Sequence, residues 1–158
     1  IRTTVISPST TGSMMKAIYS ELSILLDESA PSAPPQPETT LVVLGGSYGS
    51  DYWEFVKGSW DIMELINSTP RFTERCQVVN FHPKAKHSMY AEDSRPSDYT
   101  IRSPYPTYHL LKESTIKEEL LSNFIKSPEH IPDRNARTME KLGLDQCKRR
   151  FESLTRRG

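Results

Sequence analysis

The sequence predicts an α/β fold: a small three-stranded, at least partly parallel sheet covered by helices, with a C-terminal helical run. Three observations predict it. Short β-branched or apolar segments recur at about Arg2 to Ser7, Thr39 to Leu44 and Cys76 to Phe81. Segments with helical spacing of apolar residues separate them, as crossovers between parallel strands require. Beyond Glu113 the pattern turns helical throughout. The alternative architecture is a ferredoxin-like α+β sandwich, with its further strand upstream or inside a long loop.

The first strand is β-branched and ends at Pro8. Thr11 or Ser13 caps a helix to about Asp27, with Met14, Ile18, Leu22, Leu25 and Leu26 on one face. A proline-rich insertion at 30–38 follows and reads as a polyproline-type spacer. The second strand, apolar at its centre, runs into Gly45-Gly46-Ser47-Tyr48-Gly49-Ser50, and Asp51 with Glu54 opens a helix to about Asn67. Strand, glycine turn and helix N-terminus together resemble a phosphate cradle. The turn lacks both the P-loop Lys-Ser/Thr and the GxGxxG spacing, so nucleotide binding is a weak expectation. After the third strand comes a long polar loop. Pro106 then suits the first turn of a helix to about Glu113. Thr115 and Glu118 open a further helix with Ile116, Leu120, Leu121 and Phe124 inward. Another runs from about Pro132 to Gly143, a natural C′ residue, and Asp145 caps a last one to about Leu154.

At 158 residues the chain reads as one domain. Its longest apolar run, Leu41-Val42-Val43-Leu44, is far short of the ~20 residues that span a bilayer, so no transmembrane segment is expected. Cys76 and Cys147 form no CxxC pair and read as two buried or idle thiols rather than a disulfide scaffold or zinc site. Charge is unevenly spread. Residues 134–158 hold eight Lys/Arg against three Asp/Glu, a local +5, which leaves −5 for the remainder of a neutral chain. That basic helical end is either a solvated face or a docking surface for an acidic partner or membrane surface. Nucleic acid is not expected, because no aromatic residues are interleaved to stack on bases. The chain begins at Ile1 and is already strand-like there, so any targeting segment is expected upstream.

Candidate chemistry gathers around the loop between Phe81-His82-Pro83 and Arg102-Ser103-Pro104-Tyr105-Pro106. Long loops with stiff ends are where function is carried. His82, Arg102, Ser103, Tyr105 and His109 form a candidate anion-binding set, with Arg102 as a bidentate fork and one imidazole as proton donor. Ser103 and Tyr105 lie in no nucleophile elbow or triad, so no residue is assigned as catalytic. A metal site of His82, His109 and Asp98 matches no standard ligand spacing, and neither metal nor cofactor is expected. The same residues also have structural roles open to them: Arg102 satisfying loop carbonyls, Tyr105 and Tyr108 packing on the sheet, His82 tying down the strand end. Candidate partner contacts are Pro31, Pro34, Pro35 and Pro37 in the spacer, and Lys148, Arg149, Arg150, Arg156 and Arg157 in the basic end.

The string Phe81-His82-Pro83, then Asp98 to Pro106, then His109-Leu110-Leu111-Lys112-Glu113 closely resembles the family called domain of unknown function 1415, bacterial and algal. Arg2 to Leu26, Thr39 to Ile66 and Asn135 to Gly143 extend the resemblance over nearly the whole chain apart from the spacer. Against the family pattern, Lys84 replaces an acidic residue, Ile101 an asparagine and Leu44-Gly45 a His-Pro, and nothing here matches its early Leu-Cys-Pro-Phe-like motif. The resemblance therefore implies a fold and a site with some polar members lost, and no reaction. Two functions stay open. The first is a non-catalytic accessory or linker subunit of a larger assembly, contacting protein subunits at the soluble face of an organellar, photosynthetic complex. Its expected home is the plastid stroma ahead of the mitochondrial matrix, or the cytoplasm if no transit peptide precedes the chain. The second is a small-molecule enzyme or anionic-metabolite-binding domain working through His82, Arg102 and His109.

Overall fold

A computed structural model describes residues 1–27, 37–88, 93–122 and 130–155. The strands are β1 (Arg2–Ile6), β2 (Thr39–Leu44), β3 (Cys76–Phe81) and β4 (Thr107–Lys112). The α-helices are α1 (Thr11–Leu25), α2 (Tyr52–Ser68), α3 (Glu113–Ser122), α4 (His130–Leu142) and α5 (Leu144–Thr155), and a 3-10 helix spans Pro96–Thr100. The α/β class stands, and the sheet is mixed and four-stranded, in the order β1-β2-β4-β3. Most of the spacer, with Pro31, Pro34 and Pro35, lies outside the described residues, as do Phe124, Arg156 and Arg157.

The segment expected as a helix after Pro106 is the fourth strand. β1 and β2 are parallel, whereas β4 runs antiparallel to both β2 and β3. The crossover through α2 leaves a gap one strand wide between β2 and β3. An unfilled gap would bury two rows of unpaired backbone groups, each costing about 1–3 kcal/mol. Thr107–Lys112 fills it and bonds on both edges, so Tyr108 faces Val42 on one side and Asn80 on the other. Strand β4 inside a β2-α2-β3 crossover is the split unit of the ferredoxin-like alternative. That sandwich is not formed, because β1 pairs in parallel beside β2.

The core lies between one sheet face and helices α1 and α2. Thr10 and Ser13 cap α1 reciprocally: Ser13 N–H donates to Thr10 Oγ1 at 3.1 Å and Thr10 N–H to Ser13 Oγ at 3.2 Å. Met14, Ile18, Leu22, Leu25 and Leu26 are buried, as their spacing predicts, each contributing about 1.5–3 kcal/mol. On α2 the buried face is Phe55, Gly58, Ser59, Ile62 and Ile66. Tyr108 from β4 stacks on Phe55 at 4.6 Å between ring centroids, and its hydroxyl donates to the Phe55 carbonyl at 2.8 Å. Gly58 makes that approach possible, since a Cβ there would stand 2.5 Å from the Tyr108 oxygen. Helix α4 ends before Gly143, whose φ of +80° gives it the C′ role its position in the sequence predicts. Both cysteines are free and buried, and burial pushes the Cys76 thiol up to about 11.

Candidate functional site

The carboxyl ends of β1, β2 and β3 do gather on one rim. Gly45 N–H donates to the Ile6 carbonyl at 2.7 Å, and Leu44 N–H to the Pro106 carbonyl at 2.8 Å. The glycine turn closes beside them. Gly49 takes a φ of +74°, and a Cβ there would sit 2.8 Å from Leu44 Cδ1, so both conformation and space demand glycine. The cradle-like N-terminus of α2 is already served by the chain's own anion: Asp51 Oδ1 accepts from Trp53 N–H and Glu54 N–H, both at 2.9 Å.

His82 sits at this rim, 1% exposed, between the rings of Tyr52 and Phe55 at 5.2 and 5.0 Å. Its Nδ1 accepts from Lys84 N–H at 3.0 Å, which places the proton on Nε2, and Nε2–H donates to the Gly49 carbonyl at 2.9 Å. Both ring nitrogens are thereby used. Burial pulls the pKa below its ordinary value, with the Gly49 bond opposing, so the ring stays neutral.

Asp98, 2% exposed, is the hub of the loop. Its Oδ1 accepts from His87 N–H at 2.9 Å and its Oδ2 from Arg95 N–H at 2.8 Å, joining the two arms of the loop. Arg102 lies across the same knot. Its Nε donates to the Ala85 carbonyl at 2.9 Å, one terminal nitrogen donates to Ser94 Oγ at 3.0 Å, and that nitrogen stands 4.0 Å from Asp98 Oδ2. The guanidinium covers the Tyr99 ring at 4.6 Å, and its side chain is only 9% exposed. Nearby, Ser103 donates to the Tyr105 carbonyl, and Tyr105 is half-exposed.

His109 stands apart. Strand alternation sends Tyr108 and Leu110 towards the helices and His109 to the opposite sheet face, near Phe81 at 6.3 Å. Its Nε2 is buried with no hydrogen-bond partner among the described residues, and burial lowers its pKa. The expected set of His82, Arg102, Ser103, Tyr105 and His109 is therefore not one pocket. His82 and His109 are separated by the sheet, and Arg102 spends its fork on the loop. Among the described residues no group of three or more His, Cys, Asp or Glu is placed to hold a metal. Of the partner-contact set, Lys148, Arg149 and Arg150 are exposed and Pro37 is half-buried.

Among the described residues two concavities stand out. A cleft of about 310 Å³ at the other end of the sheet is lined by charges of both signs, Arg75, Lys112 and Lys117 with Glu74 and Glu113. A shallow apolar groove of about 170 Å³ lies where the knot meets α4 and α5, lined by Tyr99, Met139, Leu142 and Phe151. The edge of the Tyr99 ring meets Phe151 there at 5.9 Å, which docks α5 on the loop.

Sequence reasoning passed over a second feature, on α2. Trp53, Trp60 and Met63 are 49%, 57% and 46% exposed, with half-buried Val56 between them. The available signal was an apolar stripe at 53, 56, 60 and 63, beside the stripe at 55, 59, 62 and 66 that enters the core.

The family model described as "Protein of unknown function (DUF1415)" matches residues 1–149, so the chain belongs to that family. No curated protein and no solved structure matches it.

Proposed function

We propose that this member of the family is a non-catalytic accessory subunit that works by docking to other proteins. One observation carries the reading: the loop's polar side chains are spent within the fold. Both nitrogens of His82, both oxygens of Asp98 and two nitrogens of Arg102 bond within the fold, which leaves them for structure rather than for substrate. A reacting group must have a free lone pair or proton in reach of its substrate. The exposed tryptophans of α2 support the same reading, because Trp is enriched where protein partners bind. An organellar setting, plastid stroma first, and a place at the soluble face of a photosynthetic complex belong to this proposal. They rest on the resemblance alone, to a family that occurs mainly in bacteria and also in algae.

Native electrophoresis of gently lysed source cells, followed by immunoblotting, tests the proposal. Co-migration with an assembly much larger than the chain is expected. Migration as a free monomer or simple dimer overturns it and reopens the anion-binding alternative at His82, Arg102 and His109.

A further inference from the structure

Helix α2 carries two apolar stripes. Phe55, Ser59, Ile62 and Ile66 face the core with Gly58. Trp53, Val56, Trp60 and Met63 recur at spacings of three and four, about a third of a turn away at ~100° per residue. The helix already has its core contact, and this second stripe leaves about half of two indoles and a thioether in water. Exposed apolar clusters of this kind mark interaction sites, and Trp and Met are residues that interfaces favour. The flank beside the stripe is charged. Glu54, Asp61 and Glu64 stand there against a single Lys57, three carboxylates to one ammonium.

We propose that the outer face of α2 is a docking surface for a basic amphipathic helix of a partner protein. The inference deepens the accessory-subunit reading and rests on it. Trp53 to Met63 spans about 15 Å at ~1.5 Å per residue, room for roughly three turns of a partner helix. Trp53 and Trp60 supply the anchors, and Met63 adapts to the partner's contour. The acidic flank selects a helix whose apolar seam is edged by Lys or Arg, and it steers the approach. A second copy of this chain is disfavoured by the same charges. An antiparallel two-fold pairing of stripe on stripe would set one acidic flank beside the other, with Glu54 near the second copy's Asp61. An anionic membrane surface meets the same repulsion.

The chain's two tryptophans are both in this stripe, so selectively excited tryptophan fluorescence reports on this face alone. The probe is a leucine–lysine peptide of about four turns, with leucines at helical spacing, against a leucine–glutamate counterpart. Expected is a blue shift and loss of acrylamide quenching with the lysine peptide only, weakening with salt and at least about tenfold in Trp60→Ser. Equal response to both peptides, or none to either, overturns the proposal. So does a blue shift with protein concentration alone, which means self-pairing, or with phosphatidylcholine vesicles, which means a lipid surface.

In cells, Trp60→Ser/Met63→Ser with unchanged circular dichroism should leave the large assembly and migrate free. If the double variant stays in the assembly, the α2 inference fails while the accessory-subunit reading stands. If the wild type itself migrates free, that reading fails first and takes the inference with it.

Discussion

The loop between β3 and β4 and the outer face of α2 treat their side chains in opposite ways. The loop is polar in sequence, yet it buries Asp98, His82 and most of Arg102 and satisfies them internally. The outer face of α2 is apolar in sequence, yet it leaves Trp53, Trp60 and Met63 in water. Residue type alone would assign chemistry to the loop and core to the helix. Satisfaction and exposure reverse the assignment. A polar group bonded within the fold holds it, while an apolar group left half in water is available to a partner.

Breaking the loop knot at its hub should sharpen that contrast most. Asp98→Ala leaves the N–H groups of His87 and Arg95, whose bonds to it are part-buried, without acceptors and removes the carboxylate 4.0 Å from Arg102. A loss of roughly 3 kcal/mol is expected in urea unfolding, since each lost bond to a charged, buried acceptor is worth about 1.5–3 kcal/mol and water recovers part of it at the two exposed donor residues. Next comes Arg102→Ala, expected to cost ~1–3 kcal/mol by freeing the Ala85 carbonyl and uncovering Tyr99. Arg102→Lys should recover little, because an ammonium cannot reproduce the fork. A stable Arg102→Ala that had lost only stabilisation by added phosphate would return the residue to the ligand-binding set.

A smaller effect is expected from pH. Burial holds the folded pKa of His82 and of His109 below the ordinary 6.5. On acidification the unfolded chain therefore takes up these protons before the folded one does. Their contribution is complete above about pH 6.5 and declines as pH falls towards the lowered folded values. Urea midpoints at about pH 7.5 and about pH 5.5 check this in a window above the ordinary carboxylate range of ~4. The drop should shrink in His82→Gln; an equal drop would move the effect to other groups. The smallest change in stability belongs to the other side of the comparison. Trp60→Ser should alter unfolding by no more than about 0.5 kcal/mol, as surface substitutions do. A loss of several times that would mean the indole packs on the fold, and the docking surface would have lost its main anchor.

Much of the fold was legible because periodicity and caps are local. β2 and β3 begin and end where their apolar runs do, and Thr10, Asp51 and Gly143 punctuate helices at or next to the places the sequence marks. β4 was not legible. Thr107-Tyr108-His109-Leu110-Leu111-Lys112 has only one β-branched residue, and its leucines suit either state. The candidate site was half legible. Phe81 to Pro106 was marked correctly as a shaped loop, and the structural roles open to Arg102 and His82 are visible in their bonds. Their separation from His109 was not visible, because it depends on which sheet face a strand residue takes.

The sequence by itself determined the α/β class, the first three strands, the helices that cover them and the family, since each follows from spacing or motif along the chain. Tertiary structure alone decided the state of residues 107–112, because a strand-wide gap between β2 and β3 had to be filled by a segment able to bond on both edges. It likewise decided which apolar stripe of α2 enters the core: Tyr108, seated against Phe55 and Gly58, fixes the helix's rotation and leaves Trp53 and Trp60 outside.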